Sequence, residues 1–221
     1  MIPCLNEEAT IGLLVADVRR HLPTVFVIDD GSADLTATMA KKTGAEVLRH
    51  ESTFGKGTAL RTGWGHARKR GFKWALTLDG DGQHSPEDIP LFLRCAERGP
   101  AALVVGNRMA NAQDMPWLRR WVNRWMSRRL SLAAGCSLPD SQCGFRLINL
   151  DVWSALPIST AHFEIESEVL LALIKAGHAV DFVPLRAIYK TGQSKIRAVS
   201  DAMRWFRWYA RARKMMRASK T

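Results

Sequence analysis

Short apolar runs alternate with helical periodicity along most of this chain, and that alternation leaves few folds open. Residues 25–28, Val-Phe-Val-Ile, read as a buried strand running into a polar turn at 29–34, where Ser32 or Asp34 would cap a helix over 35–43. Residues 46–50 form another strand, 54–58 open a helix that ends at Gly71, and the apolar run 74–78 follows as a strand. Residues 101–105 supply the next. Strands and helices in this order predict an α/β fold with a mostly parallel sheet flanked by helices. Residues 9–18 carry an amphipathic helix with Asn6 as its expected N-cap. Only Met1 and Ile2 stand where a first strand belongs, so that strand is unusually short or the start lies upstream.

The run 74–78 ends at Asp79-Gly80-Asp81-Gly82-Gln83-His84, and Ser85-Pro86 then reads as a helix start with proline at the first helical position. Carboxylates placed there face the crevice beyond the strand ends, where open α/β sheets bind ligands. One residue separates Asp79 from Asp81, so an extended backbone points both to one side, with Gln83 on the same side. Three such oxygens suit a hard divalent cation that completes its shell with water and a diphosphate. The plain alternative is a polar turn between strand and helix.

Charge divides the chain. Of the net charge of +11, about ten units fall from Arg186 onward, where eleven basic residues face the single acid Asp201. The body is close to neutral. Trp117, Trp121 and Trp125 recur at helical spacing between 116 and 134, interleaved with Arg119, Arg120, Arg124, Arg128 and Arg129. Between 199 and 217, Trp205, Trp208, Tyr209, Ala212, Met215 and Met216 share one helical arc, beside Arg204, Arg207, Arg211 and Lys214. A face of this kind can pack on the domain, meet nucleic acid or lie on an anionic membrane surface, where Trp and Tyr favour the headgroup level. The last is the reading preferred. Residues 1–195 are expected to form the main domain and 196–221 a basic amphipathic C-terminal helix. Cys4, Cys95, Cys136 and Cys143 show no metal-ligand spacing and read as reduced thiols, which fits a cytoplasmic protein. No run of eighteen apolar residues and no signal-peptide pattern is present.

Six stretches, taken in order, resemble the family 2 glycosyltransferases of GT-A fold, a Rossmann-like arrangement for nucleotide-diphospho-sugars. They are residues 2–8, 27–36, 55–63, 79–88, 105–108 and 140–146, and the likeness covers roughly residues 1–195. Within the family they look like the branch holding dolichol-phosphate mannose synthase and polyprenyl-phosphate glycosyltransferases. The resemblance implies that Pro3, Asn6 and Glu7 line the nucleotide, that Asp30 contacts base or ribose, and that Lys56 sits near the same pocket. Mg2+ or Mn2+ would be held by Asp79, Asp81 and Gln83 against the donor diphosphate, with Asp79 and Asp81 as the catalytic pair. Arg108, Arg119 and Asn123 would lie where the acceptor phosphate binds, and Gly80, Arg146 and Lys195 are grouped with the substrate contacts.

The implied reaction is inverting transfer of a sugar from a nucleotide-diphosphate donor to a polyprenyl phosphate or related lipid. The enzyme would be peripheral to the inner face of the membrane, with a homodimer or membrane partner left open. A lipid phosphate is already ionised near neutral pH and needs no general base, whereas a hydroxyl acceptor does. Glu164, Glu166 and Glu168 are the nearest candidates for such a base, although acids in a first helical turn also complement the helix dipole. The hydroxyl-directed transferase is therefore the enzymatic alternative. A basic α/β protein that binds RNA is the non-enzymatic one, disfavoured because carboxylates at the proposed pocket repel phosphates. His84 and His162 read as polar loop residues, Cys143 as a small buried one, and Gly55 with Gly57 as a phosphate cradle at a helix start that lacks the full P-loop pattern.

Overall fold

In the computed structural model, residues 1–186, 188 and 198–218 are described. The chain runs β1 (Ile2–Cys4), α1 (Glu8–Arg19), β2 (Phe26–Asp29), α2 (Thr36–Lys42), β3 (Glu46–Arg49), α3 (Lys56–Lys69) and β4 (Trp74–Thr77). It continues through α4 (Ile89–Arg98), β5 (Leu103–Asn107), α5 (Trp117–Ala134), β6 (Arg146–Asn149), α6 (Leu150–Ser154), α7 (Ile165–Lys175), β7 (Val180–Pro184) and α8 (Ala198–Ala218).

β1, β2 and β3 pair in parallel, and so do β5 and β7, while β6 runs antiparallel between β4 and β5. Two hydrogen bonds at Met1 join the halves: its amine donates to the Leu76 carbonyl at 2.6 Å, and Leu78 N–H donates to the Met1 carbonyl at 3.0 Å. The order is thus β3-β2-β1-β4-β6-β5-β7, with β6 the reversed strand, and the mostly parallel α/β reading holds. The interior strands read as nearly unbroken apolar runs because both faces are covered: Val27, Ile28, Leu103, Val104 and Val105 are fully buried. α1 packs beside α2, and α3, α6, α7 and α5 follow one another as a second row.

Local chemistry at two helix starts differs from expectation. Glu7, not Asn6, precedes α1, and no side chain caps it. Asn6 instead adopts φ 54°, a left-handed conformation that asparagine tolerates, and ties two loops together. Its Oδ1 accepts from Ala33 N–H at 2.8 Å, and its own N–H donates to Ser32 Oγ at 2.9 Å. The start of α3 is no phosphate cradle, because the segment 160–162 lies across it. Thr58 N–H donates to the Ala161 carbonyl at 3.1 Å, and a Cβ on Gly57 would come within 2.6 Å of the Thr160 carbonyl. The glycine at 57 serves this close approach of two backbones.

The aromatic arc of α8 is also turned differently from the expectation of a membrane-facing surface. Trp205 is buried, stacks on Tyr209 with centroids 5.0 Å apart, and donates from Nε1 to Ser167 Oγ at 3.0 Å. Tyr209 donates to the Arg129 carbonyl at 3.0 Å, and Trp208 is half-buried against the core. These rings hold α8 onto α5 and α7. On these two helices the exposed large apolar groups include Trp117 (73%), Leu118 (56%) and Trp121 (61%) of α5, with Met203 and Phe206 of α8. Among the described residues no helix is long and apolar enough to cross a membrane.

Candidate functional site

The loops after β1, β2 and β4 converge at the carboxyl ends of their strands. Thr10 Oγ1 on α1 donates to the Gly80 carbonyl at 2.7 Å, pulling the 79–81 loop against the first loop. A Cβ on Gly80 would stand 2.8 Å from Cys4 Sγ and 3.2 Å from Glu7 Cγ, so glycine is what lets Pro3, Cys4 and Glu7 close over the acidic pair. Pro3, Glu7, Gly80, Asp79 and Asp81 are therefore neighbours. Asp30 lies beside them with its carboxylate engaged: Oδ1 meets His50 Nδ1 at 2.7 Å and accepts from Phe54 N–H, and Oδ2 accepts from Gly55 N–H at 2.7 Å. It shapes the turn that delivers Lys56.

Lys56, the first residue of α3, reaches back into this acidic cluster. Its Nζ lies 2.6 Å from Asp79 Oδ1 and 2.6 Å from Glu166 Oε1, over the ring of Phe163. Burial works against the ammonium, but the charges of Asp79 and Glu166 outweigh it and raise its pKa. Burial also opposes ionisation of Asp79, and there the Lys56 charge wins and holds the carboxyl below its usual range. Asp81 behaves oppositely. Burial and the charge of Asp79 push its pKa up, and the hydrogen bond from Gln83 N–H at 3.0 Å does not compensate. Asp81, short of positive charge beside the Lys56-paired Asp79, makes with it a pair of oxygen donors that fits a hard divalent cation. Among the described residues no three His, Cys, Asp or Glu side chains form a metal cage, so a cation here would depend on the Gln83 amide and on ligands from outside the protein.

Other residues frame the cluster. Arg108 is buried and bidentate on Asp140, with Nε to Oδ2 at 2.8 Å and Nη2 to Oδ1 at 2.9 Å, while its N–H also donates to Oδ2. Arg119 Nη1 donates to Gln83 Oε1 at 3.3 Å, which links α5 to the acidic loop. Asn123, one turn on, is buried, with Nδ2 3.9 Å from Met115 Sδ. His84 is buried between Asp79 and the Phe145 ring, and burial lowers its pKa to about 4. Burial pushes the Cys143 thiol up to about 12, so it is no nucleophile.

Arg146 is placed otherwise than among substrate contacts. Its guanidinium is buried and donates to the carbonyls of Cys143, Glu166 and Ser141 at 2.6–2.8 Å. It braces the wall of the site. Lys195 lies outside the described residues. Glu168 accepts from Ser159 and Thr160 and pins the segment that crosses α3, and Glu164 is buried with Oε2 unpaired. The role of Asp140 was not foreseen, although it stands in the stretch 140–146 that carries the resemblance. A lone acid in a glycine-bearing loop was the available signal.

Residues 1–155 match the model of glycosyl transferase family 2. The chain is 29% identical over 212 residues to UDP-N-acetylglucosamine--dolichyl-phosphate N-acetylglucosaminyltransferase of Methanococcus voltae, covering 86% of this chain and 84% of that one. It is 27% identical over 225 residues to undecaprenyl-phosphate mannosyltransferase of Micrococcus luteus, covering 93% and 92%. Glucosyl-3-phosphoglycerate synthase from Mycobacterium tuberculosis, solved with Mn2+, uridine diphosphate and phosphoglyceric acid, superposes with a TM-score of 0.73 at 20% identity. That match covers 97% of this chain and 76% of that one, and shows a common fold.

Proposed function

The chain belongs to glycosyl transferase family 2, and we propose that it moves a sugar, with inversion, from a nucleotide-diphosphate donor to a polyprenyl phosphate or related lipid phosphate at a membrane surface. The observation that carries this is the crowding of Asp79, Asp81 and Lys56 under the first loop, beside the braced Arg108. Relatives of nearly the same length are named for transfer to dolichyl phosphate and undecaprenyl phosphate.

Asp79, Asp81 and Gln83 would hold Mg2+ or Mn2+, which when bound neutralises a departing diphosphate as a Lewis acid. The fold mate solved with Mn2+ and uridine diphosphate supports divalent metal use. Lys56 adds a fixed positive charge, and Pro3, Glu7 and Gly80 wall the donor side. Arg108, paired with Asp140 beside the cluster, would add positive charge on the side where a phosphate acceptor approaches. Arg119 connects that side to Gln83. A phosphate acceptor brings its own charged oxygen, so no side chain has to remove a proton. Glu166 and Glu168, candidates for that task in a hydroxyl-directed enzyme, are occupied by Lys56 and by the 159–160 backbone. Attachment to an anionic membrane would use the exposed Trp117, Leu118 and Trp121 face of α5, with Arg124 and Arg128 on the same helix. Basic residues at such a surface contribute about 1 kcal/mol each.

The test is thermal stabilisation by uridine and guanosine diphosphates with Mn2+, followed by transfer from labelled nucleotide sugars into membrane lipid extract. Stabilisation that is stronger in Mn2+ than in EDTA, and a mild-acid-labile lipid product, are expected. No stabilisation by either nucleotide, or transfer to hydroxyl acceptors alone, refutes the proposal.

A further inference from the structure

Lys56 is shared between two carboxylates that come from widely separated segments of the chain. Asp79 belongs to the acidic pair, whereas Glu166 sits in the first turn of α7, buried at 6% exposure. Glu166 is itself held in place. Its carbonyl accepts from Arg146 Nη1 at 2.6 Å, and its neighbours Ile165 and Ser167 are buried, so the start of α7 has little freedom. The connection therefore runs from Arg146 through Glu166 and Lys56 to Asp79.

A lysine carries four rotatable bonds and a strongly hydrated head, and would leave a site in which its one partner is taken by a metal. In this site Asp79 is that partner. Once a divalent cation claims Asp79, the ammonium and the cation repel each other, and a side chain tied to Asp79 alone would swing out to water. Glu166 removes that escape. It keeps the ammonium about one hydrogen bond from where it stands now, over Phe163 and beside the acidic pair.

From this geometry we infer that Glu166 is a positioning residue: it retains Lys56 as a second fixed positive charge for the donor's diphosphate after Asp79 has turned to the metal. This rests on the transferase reading above and adds to it a role for an acid otherwise read as a helix-dipole partner or a general base. It also implies that part of the diphosphate affinity is independent of the metal.

The experiment is calorimetric titration of uridine and guanosine diphosphates, in Mn2+ and in EDTA, into the wild type, Glu166→Gln, Lys56→Ala and the double variant. Glu166→Gln preserves shape and removes one charge. It should weaken binding of the preferred diphosphate about tenfold, the scale of one charge-assisted hydrogen bond, in both Mn2+ and EDTA. Because Glu166 acts through Lys56, the double variant should bind no more weakly than Lys56→Ala. Should Glu166→Gln fail to fold, Glu166→Asp keeps the charge one methylene short, and an intermediate affinity is expected. Losses that multiply in the double variant, or Glu166→Gln and Glu166→Asp binding like the wild type, overturn the inference while leaving the transferase reading intact. A wild type that binds neither diphosphate overturns both.

Discussion

Gly144 offers the sharpest perturbation of the acidic pair. It lies in the loop before β6, outside the left-handed region, so its backbone would accept alanine. Its Cα faces Asp79: an added Cβ would stand 2.7 Å from Asp79 Oδ1 and 2.8 Å from Cγ, and closer still to Oδ2. Ordinary contact begins at 3.4 Å, so the carboxylate must retreat by roughly 0.5–1 Å. It cannot retreat freely, because Oδ1 is tied to Lys56. Overpacking of this size costs about 1–3 kcal/mol, or a fall in Tm of roughly 2–12 °C for a chain of this length. Displacing a catalytic group by about 1 Å costs about 10²-fold in turnover. Gly144→Ala should thus remain folded, lose Mn2+ affinity and fall about a hundredfold in kcat, read by calorimetry and by sugar transfer. Wild-type turnover with wild-type Mn2+ affinity would show that Asp79 is not where the reaction occurs.

Asp140 is fully buried. Burial opposes its ionisation, yet Arg108 holds its carboxyl below the usual range. A group depressed in this way contributes stability above its unfolded pKa, near 4, and loses it as pH falls through the folded value. Asp140→Asn should therefore cost about 3–5 kcal/mol at neutral pH, with the gap to wild type closing in acid, measured by urea unfolding across pH. A gap independent of pH would count against the pairing. Replacing Trp117 and Trp121 together by alanine should leave Tm nearly unchanged, since both rings are exposed, and lower flotation with anionic vesicles about tenfold or more. Unaltered flotation would count against this face as a membrane contact.

Much of the fold could be read from the chain because its interior strands are buried on both faces and so appear as short unbroken apolar runs between polar turns. The direction of β6 could not. Leu147 and Ile148 look like any other interior pair, and only the path of the returning loop decides that the strand runs backwards. At the site, Asp79 and Asp81 announced themselves by spacing and by their place after a strand. Glu166 did not, since three acids in one helical start satisfy the dipole equally well, and what distinguishes the middle one is a lysine 110 residues away. Gly57 was misleading for a similar reason. A glycine at a helix start serves a phosphate or a crossing backbone alike, and the crossing segment 160–162 lies far along the chain.

The tryptophan helices show where local pattern stops being informative. Periodicity establishes that α5 and α8 each have an apolar face, but not what covers it. On α8 the answer comes from Trp205, whose indole reaches Ser167 while its ring stacks on Tyr209 and meets Trp125 edge-on. Ser167 also accepts from Gln142, and Gln142 donates to Ser141, in the loop that holds Arg108 through Asp140. Removing α8 would strip this chain of contacts along with the basic charge. A truncated protein that lost activity would then report a disturbed acceptor wall as readily as a lost membrane anchor. Attachment has to be probed where exposure and packing separate, and on this molecule that is the first two turns of α5, whose outer face carries Trp117 and Trp121 while its inner face carries the Arg119 that touches Gln83. A substitution on the outer face changes the exposed apolar surface and leaves the inner contact to the acidic loop in place.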